Sequence, residues 1–427
     1  MFFDLHNHPS LKSFLTATRP GERDDCWTVY RNFLDFLVGN IIDSQASLGQ
    51  LDRSRTRLTV VALYAIEAGL DEVGLIRNWL PIVSHLDRKM VRNLSPEQYW
   101  KRFLDQVAHL EESLDKGPAP AQNFVIASKA TDVLPDRNTL VLSVEGAHVL
   151  QAGDPLQRLN ELKHFRHKIF YLTVCHFVDN PFGTQAFAMK LVNVRKNPVF
   201  LPRGTGLTEL GYRLLTRAYD DSNGRRILID VKHFSISSRR DFYAWKRTQP
   251  AYANLPIIAS HVGVTGHSWA YNTRSQYFRR GYPERIDSLG QYLVQYDKPP
   301  GLKLDKLRSE FNPVSINLYD EDIQEIIDSG GLIGLMLDQR LLGVGKNPEE
   351  YFATTDFDGL QTETINSTSG NEDQTIAQVR RRGRYDIVNF VSPATNTSWQ
   401  SLHEMITGKT PPVTDQRPRR LNRRRKT

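Results

Sequence analysis

The sequence predicts an α/β protein, a (β/α)8 barrel of the TIM type. Two observations predict it. Eight short apolar, β-branched runs alternate with helix-like or polar segments, and several of these runs end in a histidine or a glutamate. Runs that are apolar nearly throughout suit strands covered on both faces. Strands alternating with helices argue for a parallel sheet. In a barrel every C-terminal strand end opens onto one face, where reactive residues collect. A doubly wound open sheet is the structural alternative.

The first run opens the chain as MFFDLHNH. Residues i and i+2 of a strand share a face, so His6 and His8 converge on one space, as two ligands of one metal must. The next runs are RLTVVALYAI (57–66), NFVIAS (123–128), TLVLSVEG (139–146) and KIFYLTVCH (168–176). RRILIDVKH (225–233), LPIIASH (255–261) and GLIGLML (331–337) complete the set. LTELGYRLLTRAYDDSNG (207–224) has apolar residues at helical spacing and closes on a glycine. SINLYDEDIQEIIDSGG (315–331) opens on a serine that could cap a helix, with acidic residues near its first turns.

Two regions break the alternation. Residues 263–312, rich in Tyr, Arg, Gly and Pro, read as a long excursion after LPIIASH. Residues 360–427 turn polar and then basic, with a short apolar segment at 385–391. The expected organisation is therefore a barrel over 1–359 and a weakly ordered segment over 360–427.

Composition narrows the class. At 40% hydrophobic and 24% charged residues the chain reads as a globular protein without a membrane span, and no stretch approaches the roughly 20 apolar residues one needs. It has two cysteines, Cys26 and Cys175, so neither a disulfide framework nor a cysteine-rich zinc site is available. With no basic segment and apolar core at its start, the chain reads as cytoplasmic and as beginning where it was translated. The net charge of +7 gathers in RRRGR (380–384) and RPRRLNRRRK (417–426), which lack interleaved aromatics. Such a tail reads as solvated. It leaves room for weak electrostatic contact with nucleic acid or an anionic surface, and a homodimer is compatible with the sequence.

Candidate ligands fall at the ends of the runs: His6 and His8, Glu145, His233 and His261, with His176 in addition. Four histidines and a glutamate around one barrel mouth could hold two divalent ions, zinc by this donor set, with one carboxylate bridging them. One histidine ending a strand is ordinarily a packing residue; it is the joint placement that carries the reading. His148, His164 and His167 read as such ordinary residues, and His85, His109 and His403 fit no pattern.

DLHNH, SVEGAH, YLTVCHFVDNPFG, RGTGLTELG, ILIDVKHFS, PIIASH and SGGLIGLML, in this order, resemble the membrane dipeptidase (renal dipeptidase, M19) family of the metal-dependent amidohydrolase superfamily, over about residues 1–340. The resemblance implies that His6 and His8 bind one zinc, His233 and His261 the other, and that Glu145 bridges both. It implies that His176 contacts the substrate or polarises its carbonyl, and that Asp356, in ATTDFDG, is the catalytic aspartate. The chain departs from the family in having His-x-His where His-x-Asp is usual, which raises the charge of the site by one. DFDG also follows LIGLML so closely that a full helix and strand barely fit between them. Asp338, in LMLDQR, is a second candidate acid, and Arg274 or Tyr271 in the excursion could touch a substrate carboxylate.

The expected activity is hydrolysis of the amide bond of a dipeptide or similar small molecule by a hydroxide held between two zinc ions. An aspartate would carry the proton and His176 would steady the oxyanion. Cys175 points to the face opposite His176 in a strand, which argues against a thiol mechanism. Hydrolysis of a lactone, cyclic amide or phosphoester on the same centre is the enzymatic alternative. A non-catalytic metal-binding or interaction protein is the other.

Overall fold

The computed structural model describes residues 2–19, 22–30, 46–54, 56–72, 85–134, 137–186, 198–200, 202, 206–265, 268–269, 284–286, 292–294, 315–336 and 389–392. Strands β1 (Phe2–Asn7), β2 (Thr56–Leu63), β3 (Phe124–Ile126), β4 (Asn138–Glu145), β5 (Ile169–Thr173), β6 (Leu228–Asp230) and β7 (Ile258–Val262) follow the expected runs. A small antiparallel ribbon of β8 (Glu284–Ile286) and β9 (Tyr292–Val294) stands apart from the sheet. It is followed by β10 (Leu332–Met336) and β11 (Asn389–Ser392).

The main sheet runs in the order β1-β2-β4-β5-β6-β7-β10-β11, and each pair is parallel except β10 with β11. β11 lies beside β1, so the sheet curls into a nearly closed, TIM-like barrel. Strands β2, β4, β5, β6, β7 and β10 are buried over nearly their whole length, β4 at every residue, which is why they read as continuous apolar runs rather than as alternating ones.

Three elements differ from the reading of the sequence. NFVIAS does form a strand, β3, but it pairs only with the first residues of β4 and lies off the ring. The reason is that β5 takes the same edge of β4 from Leu142 onward. The remaining place in the ring belongs to β11, which overlaps the apolar segment at 385–391 and runs antiparallel to β10. The helix expected to open at Ser315 opens instead at Asp320, where Asp322 accepts the Tyr319 N–H at 2.9 Å.

Helices α1 (Leu11–Leu15), α2 (Leu48–Ser54), α3 (Tyr99–Asp115), α4 (Pro155–Lys163), α5 (Glu209–Tyr219), α6 (Ile236–Arg247) and α7 (Asp320–Asp328) lie between the strands in sequence. Four of them start on side-chain caps, α2 among them, where Ser47 Oγ accepts from Gln50 N. Asp154 accepts from Leu156 N, Thr208 from Gly211 N, and Ser235 from Ser238 N. Each cap satisfies an N–H that the first turn leaves open and fixes where the loop ends. The Ser235 cap matters for the site, because His233 sits in the short turn before it.

Candidate metal centre

All six expected histidine and glutamate positions lie at the C-terminal ends of barrel strands. His6 is in β1 and His8 follows it; Glu145 ends β4; His176 follows β5; His233 follows β6; His261 is in β7. Glu145 is the centre. Its Oε2 lies 3.2 Å from Nε2 of His8. Its Oε1 lies 3.3 Å from Nε2 of His6, 3.4 Å from that of His176, 3.5 Å from that of His261 and 3.6 Å from that of His233. Five imidazoles thus face one carboxylate. All are buried except His8, whose side chain is 28% exposed and stands at the open side.

Local backbone features aim these groups. Gly146, directly after Glu145, has φ +93°, and a Cβ there would lie 2.2 Å from the His148 ring. Only glycine fits that turn. His233 itself has φ +66°, an uncommon conformation for a residue with a side chain and one that clusters at functional sites. It is held by Ala186 N donating to its carbonyl at 2.7 Å and by the Ser235 cap two residues on. Between Ala259 and Val262, β7 carries one more residue than the facing stretch of β10. This irregularity lets both Ser260 and His261 reach the interior, against strict alternation. It presses on β10 at Gly334, where a Cβ would meet the Ser260 carbonyl at 2.1 Å.

The hydrogen-bond partners set the tautomers. Nδ1 of His8 meets the Ala62 carbonyl at 2.8 Å. A carbonyl only accepts, so Nδ1 holds the proton and Nε2 the lone pair. Nδ1 of His261 meets Ser260 Oγ at 2.8 Å, and that hydroxyl gives its own proton to Asp230. Nδ1 of His6 meets the Tyr171 hydroxyl at 2.9 Å, and that hydroxyl donates to the Leu5 carbonyl. In all three rings the Nε2 lone pair therefore points toward Glu145. Nε2 of His6 and Nε2 of His8 are only 3.1 Å apart. His233 has no hydrogen-bond partner at either nitrogen among the described residues.

Charge follows the same division. Burial holds His6 and His261 below the ordinary imidazole value and takes His233 down to about 3, so these rings are neutral. Burial opposes ionisation of Glu145, but the attraction of the facing histidines, with His176 the cation among them, outweighs it and holds the carboxyl well below the carboxylate range. His176 is different. Burial would lower it, but Glu67 and Glu145 on its two sides push it up to about 9. A carboxylate faced by neutral lone pairs, beside a buried histidine with no hydrogen-bond partner among the described residues, fits a bound cation and is poorly suited to being left without one.

Two trios could each hold an ion, with ligand atoms within 4.8 Å of one another: His6, His8 and Glu145, and Glu145, His176 and His233. Glu145 is common to both. His261 reaches the same Glu145 oxygen while its ring stacks on His6 at a centroid distance of 3.7 Å. The candidate acids Asp356 and Asp338, and the candidate contacts Arg274 and Tyr271, lie outside the described residues.

A family model, membrane dipeptidase (peptidase family M19), matches residues 21–268. The chain belongs to the membrane dipeptidase family. The match contains Glu145, His176, His233 and His261 and begins after His6 and His8. M19 proteins are metal-dependent peptidases, and the two trios are this member's candidate metal-binding groups. Among solved structures the chain is similar to dipeptidase AC, a metallo peptidase of family M19 (14% identity, 95% of this chain and 98% of that one, TM-score 0.45). It is also similar to the probable dipeptidase PvdM from Pseudomonas aeruginosa (19% identity, 71% and 57%, TM-score 0.41). A third is a metallo peptidase from Rhodobacter sphaeroides bound to a phosphinate mimic of L-Ala-D-Ala (15% identity, 78% and 73%, TM-score 0.40). The chain thus spans little more than half the length of PvdM. A search of curated proteins finds no match. No helix among the described residues is long and apolar enough to cross a membrane.

Sequence reasoning missed the residues that hold the ligands in place. Asp230, in ILIDVKH, accepts from Thr173 Oγ1, from Ser260 N and Oγ and from Lys232 N. Tyr171 supports His6. Glu67 supports His176 at 2.8 Å. The signal for Glu67 was present: a lone carboxylate just past an apolar run, in AIEAG, as for Glu145 in SVEG.

Proposed function

We propose that this chain hydrolyses the amide bond of dipeptides or similar small substrates with two bound divalent ions, zinc by the donor set. The observation that carries the reading is one buried carboxylate faced by five imidazole nitrogens, three with lone pairs fixed toward it. His6 and His8 would hold one ion, His233 and His261 the other, and Glu145 would be shared. When bound, such ions polarise a carbonyl and bring the pKa of a water to about 7.

The chain's own groups do the rest. His176, favoured as the cation between Glu67 and Glu145, offers a proton-bearing nitrogen to the substrate carbonyl and steadies the oxyanion. Neutral His6, His233 and His261 need not lose a proton before they bind metal. Asp356, or Asp338 in its place, takes the proton of the attacking water and gives it to the leaving amine.

The test is metal content per chain in protein purified without added zinc, with hydrolysis of L,L- and L,D-dipeptides followed on the same sample before and after chelation. Two ions and chelator-sensitive turnover support the reading. Metal without dipeptide turnover points to another small substrate or to a non-catalytic site, and absence of metal after reconstitution overturns the reading.

A further inference from the structure

Glu67 is a buried charge that metal binding does not use. It lies just beyond β2 and is fully enclosed. Its Oε1 accepts the backbone N–H groups of Phe177 at 3.0 Å and Val178 at 3.2 Å. Its Oε2 accepts the Tyr64 hydroxyl at 2.7 Å and faces Nδ1 of His176 at 2.8 Å. His148 completes the surround. Its Nε2 meets the Ala65 carbonyl at 2.7 Å, and its Nδ1 stays 3.8 Å from Glu67, beyond hydrogen-bond reach.

We propose that Glu67 is a positioning residue for His176, fixing the proton on Nδ1 and aiming Nε2 into the metal centre. The proposal rests on His176 facing the substrate, as in the function proposed above. Two backbone donors on Oε1 set the plane of the carboxylate, and Tyr64 shares Oε2, so that oxygen has one direction left for His176. The imidazole is also clamped from the sides, by Tyr64 at a ring-centroid distance of 4.6 Å and by Phe177 at 3.8 Å. Its free edge is Nε2, 3.4 Å from Glu145. A ring held by packing alone could still give up its Nδ1 proton. The acceptor at Nδ1 prevents that.

Glu67→Gln tests this with little change of shape. The two backbone N–H groups require the amide oxygen at the Oε1 position, because an NH2 there would meet two donors. The NH2 group is then turned toward Nδ1 of His176, which must become an acceptor. Three measurements on the metal-loaded protein read the change. In 15N spectra, with His176 assigned by comparison with His176→Gln, Nδ1 is expected to be protonated in the native protein and unprotonated in Glu67→Gln. The kcat for a dipeptide is expected to fall about 10–100-fold with KM unchanged. Metal content is expected to stay the same.

An Nδ1 without a proton in the native protein overturns the proposal, and that reading needs no variant to fold. So does a Glu67→Gln protein with native kcat and a protonated Nδ1. Loss of metal in step with activity would make His176 a ligand and overturn its substrate-facing role. If the native protein turns over no dipeptide, the proposed function fails, while the 15N measurement still decides whether Glu67 fixes His176.

Discussion

Glu145 and Asp322 are both buried carboxylates in this barrel, and their surroundings are opposites. Asp322 is surrounded by donors. Arg239 Nε lies 2.9 Å from Oδ1, the Tyr243 hydroxyl reaches the same oxygen at 3.1 Å, and Tyr319 N and Trp269 Nε1 reach Oδ2 at 2.9 and 3.3 Å. The chain itself completes that charge, and the result ties α7 to α6 and to the segment after β7. Glu145 is surrounded by lone pairs. His6, His8 and His261 each have their proton on the far nitrogen, held by a carbonyl or a hydroxyl. His176 is the ring favoured to carry a second proton. A buried charge met by donors is architecture. One met by acceptors is half of a binding site whose other half is a cation.

The sharpest way to break this comparison is Glu145→Gln. The carboxamide matches the shape, removes the charge and supplies two N–H donors to the surrounding lone pairs. Metal binding and hydrolysis are expected to be lost, since the shared ligand is gone. The metal-free fold is expected to become more stable, by about 1–3 kcal/mol, because the histidine nitrogens gain donors. Calorimetry of chelated native and variant proteins checks this. A variant that still holds two ions, or one less stable than the native protein without metal, contradicts the account of Glu145.

Acidification is the next test, on metal-free protein. His6, His233 and His261 have folded values below the ordinary 6.5, His233 at about 3. Between those limits the unfolded chain binds protons that the folded chain refuses, so stability rises with pH and is lost as pH falls from 6.5 toward 3. Glu67, which burial pushes up but His176 and His148 pull down to about 2, acts in the same sense between 4.5 and 2. His176, pushed up to about 9, runs the other way. Its contribution is full below 6.5 and fades as pH rises to 9. Thermal melts across this range in chelator, repeated with zinc, are expected to show a steep acid loss in the metal-free protein.

The two regions also differ in how far the sequence reveals them. His6, Glu145, His176, His233 and His261 could be read because each ends or follows an apolar run, and a barrel brings such ends together. Their supports could not. Ser260 and His261 are neighbours, and alternation would send them to opposite faces; the extra residue in β7 that brings both inward has no signature in ASH. Tyr171 and Asp230 lie inside runs that look like ordinary strand. The short apolar segment at 385–391 was visible, but not that β11 would run antiparallel to β10. Asp322 was legible only as one of several acids near the start of a helix; its partner, Arg239, is far away in sequence.

Arg239→Ala tests the donor-completed side. It leaves Asp322 buried without its cation, and breaking such a pair is expected to destabilise the fold by about 3–5 kcal/mol. Metal content per folded chain is expected to be unchanged, which separates this region from the centre. Denaturant unfolding and metal analysis of the same preparation check both halves. A variant that folds normally and loses metal would mean that the pair serves the site.

The smallest expected effect belongs to Tyr171→Phe. The hydroxyl accepts from Nδ1 of His6 at 2.9 Å and donates to the Leu5 carbonyl at the same distance. Its removal turns His6 toward Ser260 Oγ at 3.3 Å, an oxygen that already serves His261. The lost hydroxyl is expected to cost about 1 kcal/mol of stability. It is also expected to weaken metal binding about tenfold at the His6–His8 side alone. Competition with a chromogenic chelator separates the two ions. Loosening of one ion would show that the fixed lone pair of His6, and not only the charge of Glu145, prepares the centre. If both ions loosen equally, Glu145 dominates and the tautomer of His6 is secondary.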